Sequence, residues 1–204
     1  MKQSVAPFGV RPLILHTRPL FTMSDEVFFD FCQTNREWQI ERNAQGEILI
    51  MPPTGGETSH GNAVLTTVLM TWALQDATGV AFDSSGGFDL PNGATRSPDA
   101  AWVKRSRLAG LSPAQKKRFL PLCPDFVVEF RSPSDHLKTL QDKMQEYIDN
   151  GALLGWLLDV PNRRVFVYRP GKTVECLEDP GTIVGEPELP GFVLGMAKIW
   201  EPGF

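Results

Sequence analysis

The segment Pro124-Asp125-Phe126-Val127-Val128-Glu129-Phe130-Arg131-Ser132-Pro133-Ser134-Asp135 decides how this chain is read. Phe126, Val127, Val128 and Phe130 are aromatic or β-branched and lie between two prolines, the pattern of a short buried strand. Glu129 interrupts that strand. A carboxylate inside an apolar strand must be paired, protonated or holding a cation, because an isolated buried charge is too costly. A salt bridge to Arg131, two residues on and on the same face, is the plain structural alternative.

Outward from this strand, the chain reads as one α/β domain of 204 residues. Downstream, Ser134-Asp135 opens an expected helix that runs to about Asn150 and stops at Gly151. Leu137, Leu140, Met144 and Ile148 form its buried stripe, and Lys143 lies at the flank beside Tyr147, able to extend toward the sheet. A hairpin over Leu153–Asp159 and Arg164–Tyr168 follows, and the tail from Leu189 to Phe204 is expected to cover a sheet face or edge. Upstream, Ser97-Pro98-Asp99 opens a short apolar strand, Ala100 to Val103, with Asp99 at its mouth. Val80–Asp83 and Gly87–Leu90 read as two strand pieces around a Ser-Ser-Gly-Gly kink.

Further back, a helix from about Glu57 to Thr78 carries an apolar stripe of Gly61, Val64, Val68 and Trp72, with Leu65 and Leu69 beside them. Glu57 and His60 fall on that stripe, so both are expected to face the sheet. Taken alone, Glu57 reads as a favourable charge at a helix N-terminus and His60 as a satisfied buried histidine. Trp38–Arg42 and Glu47–Met51 form a hairpin around Asn43-Ala44-Gln45-Gly46. Ser24 caps a helix to about Asn35. Met1–Thr22 is an N-terminal arm, packed on the body or exchanged with a partner.

Composition narrows the function. The net charge of −4 argues against a protein that coats nucleic acid, though not against a local basic surface. No run of about twenty apolar residues predicts a membrane span. Cys32, Cys123 and Cys176 are odd in number, scattered and set in apolar segments, as expected of reduced thiols in a cytoplasmic protein.

Two carboxylates on adjacent strands can share one divalent cation, and a lysine beside them can orient water and stabilise developing charge. That is minimal equipment for hydrolysing a phosphodiester. Oxygen ligands favour Mg²⁺ or Mn²⁺. Asp125 competes with Asp99 for the metal role. It lies four residues before Glu129 on one strand, roughly 13 Å away, too far to share an ion. Asp99 arrives on another strand and is chosen.

Pro98-Asp99 followed by Glu129-Phe130-Arg131 resembles the PD-(D/E)XK pattern of the restriction-endonuclease-like superfamily. More closely, the chain is similar to the Uma-two family of bacterial endonucleases over about Phe21 to Pro170. The matching segments are Met51 to Glu57, Leu90 to Asp99, Val128 to Asp135, and Lys143 to Gly151. The resemblance implies a restriction-endonuclease-like core of helix, mixed central sheet and helix with flanking β-hairpins. It also implies Mg²⁺ dependence, DNA as substrate and a homodimer. Asp99 and Glu129 match its metal carboxylates, and Glu57 matches an acidic residue of the first core helix that can join the metal. The superfamily lysine falls at Arg131, which binds phosphate but is a poor base. The lysine role therefore passes to Lys143, with Arg131 and His60 as substrate contacts. The competing expectation is a non-catalytic nucleic-acid- or protein-binding module on the same fold, favoured by the acidic composition and by Arg131.

Overall fold

The computed structural model describes residues 12–133 and 135–204. Its centre is a six-stranded mixed sheet. The strands are β4 (Gly79–Asp83), β7 (Ala100–Lys104), β8 (Phe126–Phe130), β9 (Leu154–Asp159), β10 (Arg164–Tyr168) and β11 (Glu175–Glu178). Their spatial order is β11-β10-β9-β8-β7-β4. Only β8 and β9 pair in parallel; the other neighbours in this sheet are antiparallel. The parallel pair follows from the intervening helix α4 (Leu137–Asp149), because parallel strands need a crossover connection.

Period-two alternation in β8 sorts its residues between the two faces. Phe126, Val128 and Phe130 pack with Leu65, Leu69 and Ala73 of helix α2 (Gly56–Asp76). Val127 packs on the other side with Met144, Tyr147 and Ile148 of α4. Glu129 shares the parity of Val127 and so faces α4. The C-terminal pieces β12 (Thr182–Val184), β13 (Val193–Gly195) and α5 (Ala197–Trp200) close the α2 side. Phe192, Leu194, Met196 and Ile199 are buried in the same core as Trp156, so the tail covers a sheet face as expected.

A second, five-stranded sheet has the order β1-β3-β2-β6-β5. It combines β1 (Leu13–Leu15), β2 (Gln39–Arg42), β3 (Ile48–Met51), β5 (Phe88–Asp89) and β6 (Thr95–Arg96). Helix α1 (Asp25–Thr34) begins at Ser24, whose Oγ accepts from Val27 N, and buries Phe28 against Ile40 and Ile48. The strand pieces flanking the Ser84–Gly87 kink therefore separate, β4 into the larger sheet and β5 into the smaller. Within the N-terminal arm, Leu13–Leu15 lies antiparallel on β3, which puts this piece on the body. Residues 1–11 of the expected arm lie outside the described residues, as does the expected helix start at Ser134. Helix α4 begins at Leu137 and ends before Gly151, whose φ of +109° suits glycine.

The buried face of α2 centres on the Leu65 and Leu69 side of the expected stripe, with Val64, Val68 and Trp72 half-buried against the same core. Thr58, Gly61, Leu65, Leu69 and Ala73 point inward. Gly61 sets this phase because the Phe130 ring lies against its Cα, where an added Cβ would overlap the ring. Gly61→Ala is therefore expected to lose about 1–3 kcal/mol through overpacking, although alanine is the better helix former by about 1 kcal/mol. Urea denaturation measures this, and an unchanged or raised midpoint would refute it.

Candidate active site

At one end of the larger sheet, β7 and β8 pair with Ala100 opposite Val128. One antiparallel step further sets Asp99 opposite Glu129. Asp99 is fastened there by two donors. Phe130 N reaches its Oδ2 at 2.7 Å, and Asn62 Nδ2, from α2, reaches its Oδ1 at 2.8 Å. The oxygen of that amide, Asn62 Oδ1, is buried without a hydrogen-bond partner among the described residues.

Glu129 is 4 % exposed. Its Oε1 accepts from Tyr147 Oη at 2.9 Å and lies 2.8 Å from Lys143 Nζ. Lys143 and Tyr147 are four apart on α4, one helical turn, so both reach the sheet from a single face. The Lys143 ammonium also donates to Glu41 Oε1 at 2.8 Å, across from β2 of the smaller sheet. Glu41 is held in turn by Ser97 N at 3.0 Å and by Arg96 Nη1 at 3.0 Å, and Arg96 Nε bonds Glu146 at 2.7 Å. One lysine thus joins a carboxylate from each sheet.

The two carboxylates on Lys143 respond differently to the same cation. Burial pushes Glu129 up, Lys143 opposes that, and the charges of Asp99 and Glu41 add to it, so its pKa is raised from 4.5 to about 7. Burial also pushes against ionised Glu41, but Lys143, Arg96 and the Ser97 amide outweigh it and hold Glu41 below its ordinary value. Asp99 is raised by burial against the Phe130 amide, Lys143 and Asn62. For Lys143, burial disfavours the charge, yet Glu129 and Glu41 overcome it and hold its pKa above the usual lysine range. The metal-free cluster therefore contains one firmly ionised carboxylate, a firmly protonated lysine and two acids reluctant to lose their protons.

The other candidates lie elsewhere. Glu57, expected to face the sheet, is exposed on the first turn of α2. No hydrogen bond or ion pair among the described residues joins it to the cluster, because the buried face of α2 runs through Thr58 and Gly61 instead. His60 is part-exposed rather than buried, with its ring edge-on to Phe204 at a centroid distance of 5.6 Å. Arg131 does not pair with Glu129. Its Nη1 lies 2.7 Å from Asp159 Oδ1, and its Nε donates to the Asp135 carbonyl at 3.1 Å. Asp125 lies at the far end of β8, bonded to Lys104 N and paired with Arg107. Among the described residues, no group of three or more His, Cys, Asp or Glu side chains is arranged to hold a metal ion.

Sequence reasoning does not single out Glu41, Arg96 or Asn62, and it gives Tyr147 only as the neighbour of Lys143. Glu41 leaves a faint signal, since an acidic residue alternating with Ile40 in a hairpin ordinarily marks the solvent side. Here that side meets the second sheet.

The Uma2 family, described as "Putative restriction endonuclease", matches residues 25–197. The chain also resembles the crystal structure, at 1.96 Å resolution, of "a putative nuclease belonging to DUF820 from Anabaena variabilis ATCC 29413". The TM-score is 0.68 at 21 % sequence identity, covering 80 % of this chain and 90 % of that one. At that identity the likeness shows the fold. No curated protein matches the chain.

Proposed function

Because the chain belongs to the Uma2 family, matched over residues 25–197, we propose that it is a metal-dependent nuclease that hydrolyses phosphodiester bonds of DNA. The observation that carries this reading is the Lys143 ammonium, 2.8 Å from Glu129 where β8 sets Glu129 opposite Asp99.

Two carboxylates, Asp99 and Glu129, suit a hard divalent cation of the kind that takes its other ligands from water and substrate phosphate. Glu129 and Glu41 meet on Lys143, and burial holds both Asp99 and Glu129 above their ordinary pKa values, a penalty that a bound cation would relieve. Their donor atoms are all oxygen, which suits Mg²⁺ or Mn²⁺. Asp99 and Glu129 would hold the ion. When bound, it would supply Lewis-acid neutralisation of the phosphate and a water of lowered pKa.

The chain's own groups do the rest. Tyr147 and Lys143 fix the Glu129 carboxylate, and the Phe130 amide and Asn62 fix Asp99. Lys143, kept protonated by its two carboxylates, acts as a stationary positive charge for the phosphate and as a donor that orients water, rather than as a base. Arg131, tied to Asp159, leaves that duty to Lys143. Among the described residues no helix is long and apolar enough to cross a membrane. The expectations of a homodimer and of a cytoplasmic location accompany this proposal.

The test is cleavage of supercoiled plasmid DNA with Mg²⁺ or Mn²⁺, alongside thermal melting. Mn²⁺ at millimolar concentration is expected to raise Tm, since an ion that binds only the folded state adds about 2.7 kcal/mol at a hundred times its Kd. Asp99→Asn is expected to remove both the shift and the cleavage. Intact plasmid together with an unshifted melting curve would refute the nuclease reading and leave the non-catalytic binding module.

A further inference from the structure

The Asn62 amide points to a ligand role beyond its bond to Asp99. Its orientation is set by that bond. The NH₂ group must face the carboxylate, because the flipped amide would place oxygen against oxygen and lose the 2.8 Å contact. The carbonyl oxygen is thereby fixed in a buried position, and no donor among the described residues reaches it. A buried acceptor left unpaired is costly, which is why most such atoms in folded proteins have partners. This one lies on the residue that holds Asp99, at the edge of a buried cluster short of positive charge.

We infer that Asn62 Oδ1 is a third oxygen ligand of the divalent cation held by Asp99 and Glu129, directly or through a water bound to that cation. The inference rests on the metal site proposed above. It replaces Glu57, the exposed acidic residue of the same helix, with a neutral oxygen one turn further along α2. A neutral amide suits this position. Asp99, Glu129 and Glu41 already crowd negative charge together, and a fourth carboxylate would raise their pKa values further.

The test is calorimetric titration of the full chain with Mn²⁺ alone, with no DNA present. Asn62→Leu, similar in size and without polar atoms, is expected to weaken Mn²⁺ binding by about tenfold or more, the range seen when a supporting ligand is lost. In protein labelled with ¹³C-asparagine, the Asn62 γ-carbon signal, identified by its absence from Asn62→Leu, is expected to shift on adding Mg²⁺.

If the wild type binds Mn²⁺ and Asn62→Leu binds it equally well, the ligand role is overturned while the metal site stands. A γ-carbon signal that stays fixed at saturating Mg²⁺ overturns it too, even when Asn62→Leu binds weakly, since that weakness would then come from a displaced Asp99. A wild type that binds no Mn²⁺ overturns the metal site and the ligand role together.

Discussion

Lys143→Ala is expected to abolish plasmid cleavage, by about 10²–10³-fold on the scale of losing one preorganised charge donor, and to destabilise the protein. The second effect is unusual for a helix lysine. The Lys143 side chain is only 15 % exposed and sits 2.8 Å from both Glu41 and Glu129. Its removal strands two buried carboxylates beside Asp99, and breaking a buried pair from one side costs about 3–5 kcal/mol. Glu129 limits the damage by keeping its proton, so the loss should be smaller at pH 5 than at pH 8. Urea denaturation at those two values measures it, with Arg131→Ala as the comparison for cleavage. Normal cleavage by Lys143→Ala and none by Arg131→Ala would transfer the phosphate-binding role to Arg131.

Glu129→Gln is the second large effect, and it separates function from stability. The amide cannot serve as an anionic ligand, so cleavage and the Mn²⁺-induced rise in Tm should both vanish. Without metal, the same change should stabilise the protein at alkaline pH. The fold raises the pKa of Glu129 from 4.5 to about 7, so the folded state binds this proton more tightly than the unfolded chain does. The stability contributed by this group is complete below about pH 4.5 and is lost as pH rises through about 7. At pH 8 the wild type bears the whole penalty, on the order of 3 kcal/mol at 1.36 kcal/mol per pKa unit, and the glutamine variant does not. Melting of both proteins from pH 4.5 to 8 in chelator tests this. A wild-type curve no steeper than that of Glu129→Gln would show that Glu129 is not under this strain.

The elements that sequence alone makes legible are those governed by local period. The alternation of Phe126, Val128 and Phe130 around Glu129 gives the strand, its burial and the face on which the carboxylate sits. The spacing of Asp125 from Glu129 excludes the wrong aspartate. Helix α4 is legible from its apolar stripe, and Lys143 from its place beside it. Helix α2 is harder, because apolar residues fall on several sides. A stripe centred on Val64, Val68 and Trp72, with Leu65 and Leu69 beside them, looks as good as the true one centred on Leu65, Leu69 and Ala73. That shift of the stripe's centre brings Glu57 inward and hides Asn62. Glu41 and Arg96 are illegible for another reason. Each sits in a short strand of the smaller sheet, and what gives it meaning is a contact 50 or more positions away.

The bond from Lys143 to Glu41 spans 102 positions of sequence. This long separation imposes a timetable on the chain as it is made. The hairpin bearing Glu41 leaves the ribosome first, and at about 5–20 residues per second it waits roughly 5–20 s for the helix bearing Lys143 to follow. Asp99 and then Glu129 emerge later in that interval, and neither has the cation of this helix until Lys143 follows. A growing chain therefore carries the pieces of the proposed site, which no incomplete fold can close until both sheets have docked.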